Sequence, residues 1–178
     1  GFNGGEGVTV DYSVAFKRSR QASNRLVKGV GFLLKKYKVD TYESWGTIQD
    51  KSTVSVKLSK GGTETLKTKN LILATGAVVN LLPGVKLSEH VITYLEAILS
   101  EKLPASAVIV GAGPIGVEFA YIMHNYGVDV TLVEYLPHLL PNEDEEVSAE
   151  LERQYKRRGV KFMTGMAMKS AEETGTGV

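Results

Sequence analysis

The sequence has no cysteine. That excludes a disulfide framework, a thiolate metal site and a cysteine nucleophile within these 178 residues. It leaves the redox compartment open. Histidine is scarce: His90, His124 and His138 are the three present, and none stands at metal-ligand spacing from another histidine or a carboxylate pair. No metal site is therefore expected. There is no run of about 18 apolar residues, so no membrane-spanning helix is expected. The opening residues, Gly1 to Gly5, contain no apolar stretch of a secretion signal. Charge of one sign is not in excess either. The formal net charge is +1, which argues against a protein built as a whole to bind nucleic acid or another polyanion.

What is present is 43% apolar content, enough for one domain or for one domain and part of another. Residue 1 is not Met, and residues 174–178 read as a turn entering a strand. An internal segment of a longer chain is the expectation. Residues 1–12 are Gly-rich and read as loop. A long helix is predicted over 12–37, with Val14, Leu26, Val30, Phe32, Leu33 and Leu34 as its apolar residues. Eight bases, from Lys17 to Lys38, lie on its other side. They make either a solvated face or a surface that meets phosphates or an acidic partner.

Strand signals follow at 39–43, 54–58 and 64–67, with Gly61-Gly62 as a hairpin turn. The apolar run Leu71-Ile72-Leu73-Ala74 predicts a buried strand that ends at Thr75-Gly76. Taken by itself it is equally an ordinary strand with a turn. Pro83-Gly84 marks a turn in an irregular stretch over 77–92, and Thr93 is placed to cap a short helix over 94–101.

From residue 106 onward the pattern alternates. A short buried strand is expected at 107–110 and a helix at 114–126, its face formed by Ile115, Phe119, Ile122 and Met123 and its end marked by Gly127. A second strand at 128–133 is followed by a helix capped at Asn142, with acids in its first turn, Arg157 and Arg158 near its end and Gly159 as its stop. A third strand spans 160–163. This β-α-β-α-β order predicts a parallel sheet with helices packed on it. No internal repeat or low-complexity tract is evident.

The first strand-to-helix junction carries the chemistry. Gly111-Ala112-Gly113-Pro114-Ile115-Gly116 fits G-x-G-x-x-G, and Glu134 stands at the end of the next strand, 23 positions after Gly111. Gly111 permits the tight turn. Gly113 has no Cβ to block a pyrophosphate. Gly116 lets the helix pack close to the strand. The helix N-terminus offers N–H groups and partial positive charge to the anion, and Pro114 costs little there because a first-turn N–H has no helical partner. Glu134 can accept hydrogen bonds from both adenosine ribose hydroxyls. Its charge also repels a 2′-phosphate, and no arginine follows it in Tyr135-Leu136-Pro137-His138. NAD(H) is therefore expected over NADP(H). The competing reading is a tight strand-to-helix turn whose glycines serve packing.

The Ala-Thr-Gly strand end at 74–76, some 35 residues before this fingerprint, is ordered as in flavoproteins whose NAD domain is inserted into an FAD domain. Residues 29–36, 45–47, 73–76, 111–120, 125–131 and 139–144 together resemble the dihydrolipoamide dehydrogenase family of flavoprotein disulfide reductases, its actinobacterial branch in particular. The resemblance covers essentially the whole chain. It rests on overall likeness and not on a substrate-binding residue.

It implies an α/β protein: a partial FAD-binding domain over 1–103, then a Rossmann-like NAD-binding domain over 104–178, truncated at its C-terminal end. It implies FAD and NAD as cofactors. Gly111 to Ile115 would hold the NAD pyrophosphate, Glu134 its ribose, and the backbone of Met168 would meet the adenine. Gly46, Thr75 and Gly76 would lie at the FAD. Glu118 matches a glutamate near the nicotinamide, although by position alone it is equally a polar residue on a helix flank.

The family's FAD fingerprint and redox-active cysteine pair would lie upstream, and its dimerisation domain and catalytic His-Glu pair downstream. The residues present would bind nucleotide but not complete a reaction alone. The resemblance further implies a cytoplasmic homodimer that oxidises dihydrolipoamide, carried on a subunit of a 2-oxoacid dehydrogenase complex. Electrons would pass through a disulfide and FAD to NAD⁺. Nucleic acid and membrane are not expected partners. Three alternatives stay open. The first is another NAD(P)H-dependent flavoprotein reductase or NADH oxidase of the same architecture. The second is a non-catalytic NAD(H)-binding module. The third is a structural segment that binds no nucleotide.

Overall fold

A computed structural model describes residues 10–178. The chain forms two compact units, one of residues 20–79 and one of residues 80–178 with residues 10–19. The loop expected over 1–12 lies almost wholly outside the described residues.

Helix α1 spans Tyr12–Lys36 and buries no residue. Its end has a physical signature. Val39 N–H donates to Leu34 O at 2.9 Å and Lys38 N–H to Lys35 O at 3.1 Å, the bond pair of a Schellman motif. That motif needs a left-handed residue, and Lys38 supplies it at φ 56°, although glycine would do so without steric cost.

Strands β1 (Gly46–Asp50), β2 (Thr53–Lys57) and β3 (Thr63–Lys67) form an antiparallel sheet in sequence order. The Gly61-Gly62 turn is present, with both residues at positive φ and Leu58 N–H bonded to Gly62 O. The strand expected at 39–43 is not. The first strand begins instead at Gly46, a residue of low strand propensity that masked the signal. The buried strand expected at Leu71 to Ala74 is also not found. No strand of the described residues pairs with it, and Ile72 and Leu73 are exposed. An apolar run becomes a buried strand only when neighbours supply both its ladder bonds and its cover.

In the second unit, Thr93 caps α2 (Tyr94–Leu99) through a capping box with Glu96. Then come β4 (Ser106–Val110), α3 (Pro114–Asn125), β5 (Asp129–Val133), α4 (Glu145–Arg158) and β6 (Lys161–Met163). The sheet order is β4-β5-β6, and both pairings are parallel, as the alternation predicts. Its buried centre is β5, where Val130 and Leu132 have essentially no exposure.

Three details differ from expectation. β4 is partly exposed, not buried throughout. The inner face of α3 is Val117, Ala120 and Met123, while Ile115 and Ile122 are exposed. Small residues at 116 and 120 bring that side close to the sheet. The cap of α4 is Asp144, whose carboxylate accepts from Glu146 N–H and Val147 N–H, and Asn142 lies outside the helix. Gly159 ends α4 at φ 81°, as read from the sequence. Among the described residues, no helix is long and apolar enough to cross a membrane.

Candidate functional site

One side of each of the Gly111–Ala112 and Ala112–Gly113 peptides is held by a hydrogen bond. β4 ends where Gly111 N–H donates to Val133 O at 2.8 Å, which seats the turn beside β5. Gly111 has φ 101°, so the turn needs glycine there. Ala112 is fully buried, and its N–H donates to Glu134 Oε2 at 2.6 Å. A trans peptide is planar, so the Gly111 carbonyl must point the opposite way. It does, towards the start of α3, where a Cβ on residue 116 would overlap its oxygen. The Ala112 carbonyl accepts from Leu140 N–H at 2.8 Å. By the same planarity, Gly113 N–H is aimed away from the loop that carries Leu140.

Gly113 is the N-cap of α3 and makes no side-chain cap bond, and Pro114 follows it. The first-turn N–H groups of a helix lack intrahelical partners, and the helix dipole adds partial positive charge. A Cβ built on Gly113 would meet nothing within 4 Å. The space in front of this backbone is open, as a pyrophosphate would require.

Glu134 closes the site from β5. Its side chain is buried, and its Oε1 accepts from Leu136 N–H at 2.8 Å. Both carboxylate oxygens thus hold backbone N–H groups and keep lone pairs for further donors. The Glu134 backbone is tied to the end of β6: its N–H donates to Met163 O at 2.8 Å, and its O accepts from Met166 N–H at 2.9 Å. Met168 lies two residues further on and is half-buried. The structure therefore brings Gly111, Ala112, Gly113, Pro114, Gly116 and Glu134 into one loop system, with Met168 on the adjacent segment. Ile115 follows on the exposed side of α3.

Glu118 does not join this loop system by any hydrogen bond described. It lies on the outer side of α3 and lines a shallow groove with Tyr121, Gln154, Tyr155 and Arg158. Tyr155, buried on α4, donates its hydroxyl to Val117 O at 2.5 Å. Burial, with smaller contributions from Tyr121 and Glu118, pushes its pKa up from 10.0 to about 12. A raised phenol pKa favours the protonated folded state. The contribution is present below about pH 10 and lost as pH rises towards about 12, with a size of roughly 2–3 kcal/mol. Urea unfolding should therefore lose stability across this window in the wild type and lose less in Tyr155→Phe. Parallel pH profiles for the two proteins would refute the assignment.

Of the residues expected at the FAD, Gly46 opens β1, and a Cβ there would touch Val54 at an ordinary 3.4 Å. Thr75 and Gly76 lie in a stretch without regular structure, Gly76 at φ 81°. All three belong to the unit of residues 20–79. They offer backbone and a hydroxyl, but no cradle comparable with the glycine turn.

The residues that sequence reasoning missed are Leu139, Leu140, Ser148, Glu152 and Tyr155. Each acts through a hydrogen bond to a residue well separated in sequence, and local spacing gives no sign of it.

A parallel β-α-β-α-β unit with this turn and this acid defines a dinucleotide-binding fold. The chain belongs to the pyridine nucleotide-disulphide oxidoreductase family, which it matches over residues 5–178. It is 48% identical over 171 residues to the dihydrolipoyl dehydrogenase of Mycobacterium tuberculosis, covering 96% of this chain and 37% of the relative. It is 51% identical over 171 residues to that of Mycobacterium leprae, covering 94% of this chain and 37% of the relative. It is 38% identical over 168 residues to that of Bacillus subtilis, covering 89% of this chain and 35% of the relative. The chain thus spans little more than a third of the curated relatives it matches.

Among solved structures, LpdA from Mycobacterium tuberculosis superposes with a TM-score of 0.79 at 23% identity, covering 89% of this chain and 36% of that one. The HOCl-induced flavoprotein disulfide reductase RclA from Escherichia coli, as its Cu(II) complex, gives 0.80 at 22% identity, covering 93% and 38%. These two likenesses bear on the fold. The family and the α/β fold expected from the sequence are borne out.

Proposed function

We propose that this chain supplies the NAD(H) platform, and part of the flavin-binding side, of a cytoplasmic FAD-dependent dihydrolipoyl dehydrogenase. The observation that carries the reading is the Gly111–Gly116 turn. It has open space at Gly113, an uncapped helix start behind it, and a buried Glu134 bonded to Ala112 N–H. The relatives' name, dihydrolipoyl dehydrogenase, supports dihydrolipoamide as the substrate class; its carriage on a subunit of a 2-oxoacid dehydrogenase complex and a homodimeric assembly are proposed with it. The domain division proposed is the flavin-side segment over 1–103 and the NAD domain over 104–178.

The residues divide the work. Gly113 and the first turn of α3 offer N–H donors to a pyrophosphate. Glu134 accepts from two ribose hydroxyls and repels a 2′-phosphate. The Met168 backbone borders the adenine, Glu118 approaches the nicotinamide, and Gly46, Thr75 and Gly76 border the flavin. When bound, FAD and NAD supply the redox chemistry. The dithiol step needs cysteines, and these 178 residues contain none.

The test is a titration of the whole FAD-loaded protein followed by nicotinamide fluorescence. NADH should bind at least tenfold more tightly than NADPH. Glu134→Gln should weaken NADH roughly 10- to 100-fold, the worth of hydrogen bonds to a charged acceptor, and narrow the preference. Equal binding of the two nucleotides by the wild type would overturn the assignment of Glu134. Failure of dihydrolipoamide to drive NAD⁺ reduction, with NADH binding intact, would overturn the substrate and keep the nucleotide site.

A further inference from the structure

The loop between β5 and α4 is held more firmly than a connection requires. Leu139 is fully buried, and its N–H donates to Glu152 Oε1 at 3.1 Å. Leu140 sits at φ 50°, a left-handed conformation that a leucine avoids unless its surroundings impose it. The Leu140 carbonyl accepts from Ser148 Oγ at 3.2 Å and from Glu143 N–H at 2.9 Å. Ser148 has no exposure at all. With its carbonyl held on the α4 side, Leu140 presents its N–H to Ala112 O at 2.8 Å. That bond sets the plane of the Ala112–Gly113 peptide, and so the direction of Gly113 N–H.

We propose that Ser148 and Glu152 are positioning residues for the dinucleotide site: through the Leu139-Leu140 turn they orient the Ala112–Gly113 peptide so that Gly113 N–H faces the pyrophosphate. Neither residue touches the nucleotide. The glycine turn is thus secured on both sides, by Glu134 at Ala112 N–H and by the turn at Ala112 O. This inference rests on the NAD(H) reading of the site and adds how its donor is aimed.

The measurement is NADH affinity in the whole FAD-loaded protein, with ADP-ribose competition as a second probe that carries the same pyrophosphate. Thermal unfolding and flavin content are recorded alongside. Ser148→Ala and Glu152→Ala should each weaken NADH and ADP-ribose roughly three- to tenfold, the range set by one hydrogen bond. Glu152→Gln, which keeps an acceptor oxygen, should restore affinity to within about twofold of wild type, well under the worth of one bond. Flavin content should stay unchanged. Variants that melt earlier yet bind NADH as tightly as wild type would overturn the positioning role and leave the NAD(H) reading standing. Loss of affinity in Glu152→Gln equal to that in Glu152→Ala would also overturn it. If Glu152→Ala does not fold, Ser148→Ala and Glu152→Gln decide the matter by the same criteria. Absence of NADH binding by the wild type would overturn both readings.

Discussion

Gly113→Val should weaken NADH binding by at least about 100-fold while costing only about 1 kcal/mol of stability. The two halves of this expectation have separate causes. Gly113 has φ −68° and ψ −179°, backbone that any residue adopts, and a Cβ there meets no protein atom within 4 Å. The Cβ of valine therefore introduces no clash with residues beyond its chain neighbours. It gives up the preference of glycine over valine at a helix cap, about 1 kcal/mol. The space it fills is the space in front of the N-terminal N–H groups of α3. A pyrophosphate pushed outward there loses several charge-assisted hydrogen bonds together, which is why the expected loss exceeds that of any single bond. NADH titration and chemical denaturation of the same preparation separate the two effects. Unchanged affinity would mean that the glycines serve packing alone, the competing reading of the motif. A large loss of stability would mean that the open space is not open.

The open space at Gly113 and the close approach at Gly116 were legible in the sequence because the turn is local. Strand, glycine turn, helix and acid succeed one another within the 28 residues from Ala107 to Glu134, each with its own periodicity or propensity signal. Parallel pairing of β4 with β5 follows from that order alone. Gly127 and Gly159 marked their helix ends for the same reason, since a left-handed C-terminal residue is a property of the residue itself.

Where the structure departs from expectation, the deciding contacts are distant or absent. Asp144 rather than Asn142 caps α4, because among adjacent cap-forming residues the choice depends on how the chain leaves Leu140. The inner face of α3 is set by the packing of the helix on the sheet, which turns Val117, Ala120 and Met123 inward and leaves Ile115 and Ile122 exposed. Leu71 to Ala74 has the composition of a central strand but no neighbouring strand among the described residues. The bonds of Leu139 to Glu152, Ser148 to Leu140 and Tyr155 to Val117 join positions 8 to 38 residues apart, beyond any pattern of period two or 3.6.

Gly116→Ala should do the reverse of Gly113→Val and act on the fold first. Elsewhere in a helix, alanine in place of glycine stabilises by about 1 kcal/mol. At 116 the added Cβ would overlap the Gly111 carbonyl oxygen and lie 3.1 Å from its carbon, with Ile109 Cγ2 at 3.6 Å behind them. These are mostly backbone atoms, so no side chain can rotate away. Either α3 moves off β4, opening the packing of Val117 and Ala120, or the Gly111 peptide rotates.

Rotation is opposed at both ends. Gly111 N–H is bonded to Val133 O, and Ala112 N–H is bonded to the buried Glu134 carboxylate. Turning that peptide would leave a buried charge short of a donor, which costs more than a neutral bond. Overpacking of this kind costs roughly 1–3 kcal/mol, and loss of the Glu134 bond adds to it. The overlap therefore outweighs the gain in helix propensity. A denaturant midpoint well below wild type, with the smaller loss for Gly113→Val beside it, is the expected result. A midpoint at or above wild type would show that α3 can withdraw from β4 freely. The close approach would then have no part in holding the glycine turn.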